Sequence, residues 1–344
     1  MNKIKVLIVD DSSFVRKALL RIFDADPGIE VTGVASSGKE AIEKVMLLDP
    51  DVMTLDINMP GMDGLETLKV LMESRPLPVL MLSQFTKQGA ELTLKALELG
   101  AMDFVDKSTT GMMGFFDLAK EIISKVKSIA GSKPVRIGKQ ENVLSSGKGR
   151  GLVDIVAIGT STGGPLALQM LLPKFPRDIN FAIVVVQHMP QGFTEPLARR
   201  LDTLCDIKVK EAAEGDIVMP GVSLIAPAGL HMTLKQAQSA QHGLQRRVTL
   251  GAEPLDELHK PSVDVLFTSV ARLYGKRAIG VILTGMGSDG VKGLGFIKEE
   301  GGFTIAQDEA TSAIFGMRRV AIENNAVGKV LPITSIAEEI LNRV

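Results

Sequence analysis

A serine in a glycine-rich segment is the first residue whose surroundings suggest chemistry. Ser161 lies in GTSTGG, between the aliphatic run at 154–158 and the helix-like stretch PLALQML. Glycines at a strand–turn–helix junction permit a tight turn that exposes the serine hydroxyl, as the G-x-S-x-G pattern of nucleophilic serines requires. The same segment could instead bind a phosphate or cap the following helix, so the pattern by itself leaves three roles open.

A nucleophilic serine needs a histidine base and a carboxylate that orients the base. The chain has four histidines, and His188 directly follows the aliphatic run FAIVVVQ. Asp289 follows another run, AIGVIL, inside the glycine-rich segment TGMGSDG. Because all three residues come after predicted strands, a Ser161–His188–Asp289 triad is favoured. Two alternatives stay open: Asp289 as a cap of the next helix, and a base drawn from His231 or His259.

Backbone N–H groups near the serine would stabilise the oxyanion of such a reaction. The candidates are the segment around Thr162 and the N–H of Met286 in TGMGSDG. Met286 is equally suited to anchor an apolar loop. The chain order Ser, His, Asp differs from that of ordinary α/β-hydrolases, but a triad does not depend on one fold.

A second group of polar residues follows aliphatic runs in the N-terminal part of the chain. Asp10 and Asp11 follow the first run, Asp56 the third, Ser83 the fourth, and Lys107 lies just beyond the fifth. Carboxylates that meet at one edge repel one another unless a cation lies between them, and oxygen ligands favour Mg²⁺. Asp56 could then accept a phosphoryl group that Ser83 and Lys107 contact. Taken singly, such aspartates are more typical of turns or helix caps.

Alternating aliphatic runs and amphipathic stretches are predicted to position both groups. Five strand–helix pairs before residue 131 indicate an α/β fold with a doubly wound parallel sheet, since almost wholly apolar strands are typical of sheets covered on both faces. After residue 152 the alternation predicts a second, mainly parallel α/β sheet, and the turn-rich residues 211–260 predict a small antiparallel ribbon. Polar side chains after parallel strands collect where the strands end.

Length and composition predict two domains with a linker between them. The chain has 344 residues, 45% of them hydrophobic and 23% charged, which exceeds one average domain and is ordinary for globular proteins. The predicted domains are 1–130 and 152–344, and the Gly-, Ser- and Lys-rich residues 131–151 are the linker. A net charge of −1, a single cysteine and short aliphatic runs predict a cytoplasmic protein that binds no nucleic acid and is not membrane-inserted.

Residues 1 to about 125 resemble the receiver domain of two-component response regulators. The motifs that carry the resemblance are VDDS at 9–12, TLDINMPGMDG at 54–64, LS at 82–83 and DFVDKS at 103–108. The resemblance implies a flavodoxin-like fold in which a histidine kinase supplies the phosphoryl group for Asp56. It also implies two sets of site residues: Asp10, Asp11, Asp56 and the backbone of Asn58 around Mg²⁺, and Ser83, Lys107 and the aromatic switch residue Phe104 for sensing the phosphate.

Residues 152–344 resemble the catalytic domain of the CheB family, the protein-glutamate methylesterases of chemotaxis. The matching segments include AIGTSTGGPLAL at 157–168, VVVQHMP at 184–190 and ILTGMGSDG at 282–290. A receiver, a linker and this domain form that family's architecture. The sequence departs from the family pattern at Arg318, where proline is usual.

The CheB resemblance implies a function as well as a fold. Ser161 would attack methyl-esterified glutamates of methyl-accepting chemoreceptors, with methanol as a product, and receptor glutamines would be deamidated by an equivalent acyl transfer. The triad would be Ser161, His188 and Asp289, with Thr162 and Met286 beside the oxyanion. Only the receiver would need a metal, and the unphosphorylated receiver would cover the catalytic face. Two other functions stay open: a module that binds phosphate through Ser161 and its glycines, and a serine hydrolase of small esters.

Overall fold

The computed structural model describes residues 3–84, 86–107, 112–132, 153–239, 243–314 and 316–344. The chain forms two compact units, Met1–Gly138 and Lys139–Val344. Most of the predicted linker lies outside the described residues, so the predicted domain limits stay predictions. Within the described ranges, no helix is both long enough and apolar enough to cross a membrane.

The N-terminal unit alternates strands and helices as the sequence predicts. Its described strands are β1 (Ile4–Val9), β2 (Ile29–Ala35), β3 (Val52–Asp56), β4 (Val79–Ser83) and β5 (Asp103–Asp106). Its described helices are α1 (Ser13–Asp24), α2 (Gly38–Leu48), α3 (Gly64–Ser74), α4 (Lys87–Glu98) and α5 (Met112–Ile129). The strands form one parallel sheet in the order β2-β1-β3-β4-β5.

This strand order determines where the N-terminal unit can bind a ligand. The chain runs from β1 outward to β2 on one side and to β3 on the other, which opens a crevice at the carboxyl ends of β1 and β3. Every residue of β3 and β4 is buried, so only their ends reach the crevice. The predicted acidic residues of the first and third runs therefore lie together.

The C-terminal unit contains a larger parallel sheet. Its described strands are β6 (Ile155–Thr160), β7 (Ala182–Gln187), β8 (Lys208–Glu211), β9 (Val222–Ile225), β10 (His231–Ser239), β11 (Gly243–Gly251), β12 (Ala278–Ile282), β13 (Phe303–Gln307) and β14 (Lys329–Leu331). Its described α-helices are α6 (Gly164–Leu171), α7 (Thr194–Asp202), α8 (Val263–Tyr274), α9 (Val291–Glu299), α10 (Met317–Glu323) and α11 (Ile333–Leu341). The parallel order is β14-β13-β12-β6-β7-β9-β8, and β10 and β11 form the predicted antiparallel ribbon.

Central strands of this sheet carry the residues of interest. β6 lies between β12 and β7, so three neighbouring strands end side by side. The residues of β6, β7 and β12 are all buried, which explains why their sequences are continuous aliphatic runs. The sequence did not predict α10 and β14, because elements of seven and three residues are too short to show a hydrophobic period.

Candidate functional site

Ser161 lies directly after β6, in the turn that leads to α6. Its N–H donates to the carbonyl of Thr284, which follows β12, over 3.0 Å. Helix α6 begins after Gly163, whose φ of +74° is a conformation that favours glycine, and the helix has no side-chain cap. The alternative that Ser161 caps this helix is therefore wrong, and its half-buried side chain is left for another role.

His188 follows β7 and is paired with Asp289, which lies beyond the end of β12. The Nε2 atom of His188 is 2.8 Å from Oδ2 of Asp289, and each side chain is 9% exposed. Because an ionised carboxylate only accepts, Nε2 carries the proton of this bond. The other ring nitrogen, Nδ1, is buried and has no hydrogen-bonding partner among the described residues. Nδ1 is thus the nitrogen that can accept a proton.

Asp289 is bound by the N-terminus of α8. Its Oδ1 accepts from Ser262 Oγ at 2.8 Å and from the N–H of Asp264 at 2.9 Å, and its Oδ2 accepts from the N–H of Val263 at 2.7 Å. Unpaired N–H groups and the helix dipole make such a terminus favourable for an anion. Helix α9, by contrast, has no side-chain cap, so the alternative that Asp289 caps the next helix is wrong.

These donors keep Asp289 ionised. Burial opposes its charge, but the hydrogen bonds from His188 and from the start of α8 outweigh burial and lower the pKa of Asp289 to about 2. At neutral pH the carboxylate can therefore both orient the imidazole and balance the charge of an imidazolium.

The turn after β12 packs closely against the serine. A Cβ atom at Gly285 would lie 2.7 Å from Ser161 Cβ, so this backbone approach requires glycine. The Thr284 hydroxyl donates to the carbonyl of Thr162 over 3.0 Å, and Thr162 is buried. The amide of Ser161 is already bonded, whereas within the described part of the chain the amide of Met286 has no acceptor. Met286 N–H is therefore available beside the serine.

Gln187, the last residue of β7, links the serine and histidine segments. Its Nε2 donates to the carbonyls of Ser161 and His188, each over 2.9 Å, and its side chain is buried. The sequence analysis did not identify this residue. A polar side chain at the end of an aliphatic run was the available signal.

His231 and His259, the alternative bases, have other places in the site. His231 is 1% exposed; its Nδ1 accepts from the N–H of Ser262 and its Nε2 donates to the carbonyl of Pro254, both over 3.1 Å. Burial lowers the pKa of His231, so its neutral form persists. With both nitrogens engaged, His231 is not available as a base. The ring of His259 stacks on that of His188.

Arg318, the departure from the family pattern, is fully buried in α10. Its guanidinium donates to the carbonyls of Gln307, over 2.9 Å, and Ile314, over 3.1 Å, and also to that of Asp308. Burial lowers the pKa of Arg318 to about 10, which still leaves it charged at neutral pH. The residue therefore ties the loop after β13 to α10.

The acidic residues of the N-terminal unit meet as the sequence predicts. Carboxylate oxygens of Asp10, Asp11 and Asp56 all lie within 4.8 Å of one another. Lys107 Nζ is 2.6 Å from Asp56 Oδ2 and 3.1 Å from Asp10 Oδ2. Burial raises the pKa of Asp56 and the charge of Asp10 adds to the rise, against the opposing effect of Lys107. One lysine does not neutralise three carboxylates, and their hard oxygen atoms suit Mg²⁺.

The remaining predicted residues of this unit lie around the acidic group. The N–H of Asn58 donates to Asp56 Oδ1 over 3.3 Å. The hydroxyls of Ser83 and Thr93 are hydrogen bonded over 2.7 Å. Phe104 is buried in β5, where it pairs with Met81 of β4, and Ser83 at the end of β4 pairs with Asp106. The sheet thus places every predicted residue near the crevice or on the two strands beside it.

Comparisons with known proteins match the N-terminal and C-terminal parts of the chain to two different families. The model of the CheB methylesterase family matches residues 156–340, and that of the response regulator receiver domain matches residues 6–112. A protein-glutamate methylesterase/protein-glutamine glutaminase of Archaeoglobus fulgidus is 45% identical, over 98% of this chain and 97% of that protein. A protein of the same description from Halalkalibacterium halodurans is 44% identical, over 99% of both chains.

One solved structure supports the fold of the C-terminal unit. The Thermotoga maritima CheB methylesterase catalytic domain matches with a TM-score of 0.53 and 42% identity, over 56% of this chain and 99% of that one. The matched share corresponds in size to the unit that contains the Ser161 and His188 segments.

Proposed function

The chain belongs to the CheB methylesterase family and carries that family's receiver domain, and from this membership we propose that it is a protein-glutamate methylesterase and protein-glutamine glutaminase. Its substrates are methyl-accepting chemoreceptors, which it meets in the cytoplasm. A histidine kinase phosphorylates the receiver and so activates the enzyme. The reaction is the hydrolysis of glutamate methyl esters to glutamate and methanol.

The bond between His188 and Asp289 carries this proposal. An imidazole whose one nitrogen donates to a buried carboxylate over 2.8 Å, and whose other nitrogen is without a partner among the described residues, is prepared to act as a base. Ser161 directly follows β6 and His188 directly follows the neighbouring strand β7, so the two residues lie beyond adjacent strand ends. A phosphate-binding module has no need for this paired imidazole.

The reaction proceeds by acyl transfer. Ser161 Oγ attacks the γ-carbonyl carbon of the esterified glutamate while its proton moves to Nδ1 of His188. The imidazolium then returns that proton to the departing methoxide, which leaves as methanol. Water attacks the acyl-enzyme with the same histidine as base, and glutamate is released. With a receptor glutamine, ammonia leaves in place of methanol.

The turn after β12 stabilises the oxyanion. Met286 N–H is the proposed donor, with the Thr162 segment on the other side of Ser161. The amide of Ser161 itself does not take part, because it donates to Thr284 O. This assignment is supported by the close packing of Gly285 on the serine.

The receiver site controls the enzyme. Asp56 is the proposed phosphorylated residue. Asp10, Asp11, Asp56 and the backbone of Asn58 would hold Mg²⁺, which would supply positive charge to balance the phosphoryl group. Ser83 and Lys107 contact the phosphate, and Phe104 responds to it. The charges of three close carboxylates support a cation at this place.

Methanol release from methylated receptor membranes tests the activity. We expect the wild type to release methanol and Ser161→Ala to release none, because the alanine removes the nucleophile. Ser335→Ala, which changes a serine on α11, is the matched control and should behave as the wild type. Equal release by wild type and Ser161→Ala contradicts the nucleophile; release from small esters alone favours a general esterase.

Addition of Mg²⁺ and a small phosphodonor tests the control by phosphorylation. Methanol release by the wild type should rise, and that by Asp56→Asn should not, because the amide accepts no phosphoryl group. Asp24→Asn, at an exposed aspartate that ends α1, is the matched control and should respond as the wild type. Equal stimulation of Asp56→Asn and wild type would show that Asp56 is not the regulatory residue.

A further inference from the structure

The loop at 252–262 places a second imidazole against the proposed catalytic histidine. The ring centroids of His188 and His259 are 4.2 Å apart and the ring planes are inclined by 24°. The stack covers a face of the His188 ring, whereas the bond to Asp289 lies at its edge, at Nε2. The hydrogen bond at Nε2 fixes only one atom of the His188 ring, so the ring could still tilt about that bond. The stacked ring of His259 restricts this tilt.

The loop is itself anchored at both ends by one buried side chain. His231 donates from Nε2 to the carbonyl of Pro254 and accepts at Nδ1 from the N–H of Ser262, both over 3.1 Å. The same Ser262 donates its hydroxyl to Asp289. The loop therefore supports the histidine and the carboxylate of the proposed triad together, before any substrate binds.

His188 needs this support because of its unbonded nitrogen. Within the described residues, Nδ1 has no partner that would fix the ring from its second edge. In the proposed reaction Nδ1 takes the proton of the Ser161 hydroxyl, and a tilt of the ring would change the direction in which Nδ1 points. A proton transfer is sensitive to such a displacement, since the two heavy atoms must come within hydrogen-bonding distance.

We infer that His259 is a positioning residue, which holds the His188 ring in the plane from which Nδ1 takes the serine proton. The inference rests on the proposed function, because it requires that Ser161 and His188 react. His259 acts through the flat face of its ring and transfers no proton. Phenylalanine should therefore replace it, whereas leucine and alanine should not.

Steady-state methanol release by the full-length chain, with Mg²⁺ and a phosphodonor, tests this role. For His259→Ala and His259→Leu we expect kcat to fall about 2- to 12-fold, the range for one aromatic contact, with KM unchanged. His259→Phe should retain at least half of the wild-type kcat. His259→Leu keeps a side chain of comparable size, so it decides the question if the alanine variant does not fold.

A spectroscopic readout separates this inference from the proposed function. The chain has four histidines, so the ring protons of His188 can be followed by NMR. They should shift in His259→Leu through loss of the stacked ring, and shift far less in Leu258→Ala, which alters the neighbouring, 88% exposed residue. Leu258→Ala should also keep the wild-type kcat.

The outcomes distinguish the two ideas. Unchanged kcat in His259→Leu and His259→Ala, or an equal loss in the phenylalanine variant, overturns the positioning role while the esterase stands. Unchanged His188 resonances in His259→Leu overturn the stack itself. If the wild type releases no methanol, the proposed function fails, and the resonances alone then decide whether His259 holds the ring.

Discussion

Asn in place of Asp289 changes one atom of the proposed triad and cannot satisfy the groups around it. The carboxylate accepts four hydrogen bonds: those of Ser262 Oγ and Asp264 N–H at Oδ1, and those of Val263 N–H and His188 Nε2 at Oδ2. A carboxamide offers one oxygen and one NH₂ group. Whichever way it is turned, the NH₂ faces a backbone N–H of α8, which then loses its acceptor.

The orientation of the amide decides how activity is lost. With NH₂ toward His188, Nε2 becomes the acceptor, the ring proton moves to Nδ1, and the base is gone. With NH₂ toward Asp264, the tautomer is kept but the charge that balances the imidazolium is absent. The corresponding change in serine proteases lowers kcat by about 10⁴-fold through the wrong tautomer, and we expect a loss of about 10³- to 10⁴-fold here.

The same substitution lowers stability by an amount that depends on pH. The pKa of Asp289 is lowered from 3.8 to about 2, and the difference corresponds to about 2 kcal/mol of folding free energy at neutral pH. A depressed pKa stabilises the fold above the unfolded value, and the contribution is lost as the pH falls through the folded value. Wild type and Asp289→Asn should therefore differ most above pH 4 and converge toward pH 2.

Two assays check this reasoning. Methanol release at saturating receptor gives kcat, and unfolding in urea at pH 7 and pH 3 gives the free energy of unfolding. For kcat, Asp264→Asn is the matched control, because it alters a carboxylate on the same helix end that is not bonded to His188. An Asp289→Asn variant with kcat within tenfold of the wild type, or with equal stability loss at both pH values, would refute the role assigned to the carboxylate.

Two further predictions concern the same unit. Gly285→Ala should lower kcat at least tenfold, because the new Cβ would lie 2.7 Å from Ser161 Cβ. Gly295→Ala has open space around the new methyl group, so this control should keep kcat and add about 0.5–1 kcal/mol of stability. Equal kcat for the two variants in methanol release contradicts the close approach of Gly285 to the serine. Burial raises the pKa of Asp264 to about 6, and Asp289 adds to the rise, so this carboxylate costs stability as the pH climbs from about 4 to 6. Asp264→Asn should therefore be more stable than the wild type by about 1 kcal/mol at pH 7, after allowance for solvent screening, and equally stable at pH 3.5. Urea unfolding that shows no gain in the free energy of unfolding at pH 7 contradicts the predicted stabilisation.

Much of both sites followed from local patterns. Continuous aliphatic runs predicted the parallel strands, and a parallel strand delivers the residue after it to one edge of the sheet. For that reason Ser161, His188 and Asp289 could be grouped before their distances were known, and so could Asp10 and Asp56 in the other unit. The motifs then identified the family, which the comparisons confirm.

Other features were beyond reach because they depend on contacts between distant parts of the chain. Asp289 is bonded to the start of α8, 25 to 27 residues earlier, where the local pattern suggested a cap for α9 instead. The short α10 and β14 gave no periodic signal. Gln187 looked like the polar end of a strand until its two carbonyl partners were placed beside it.

The two α/β units, the order of polar residues at their strand ends and the family are all encoded in local patterns of the sequence. The three-dimensional fold was needed to show that Nε2 of His188 faces Asp289 and leaves Nδ1 for the proton, and that His259 covers the ring. Strand formation and the burial of aliphatic runs depend on neighbours in the chain. The orientation of an imidazole depends instead on donors and rings that loop closure brings from 71 to 101 residues away.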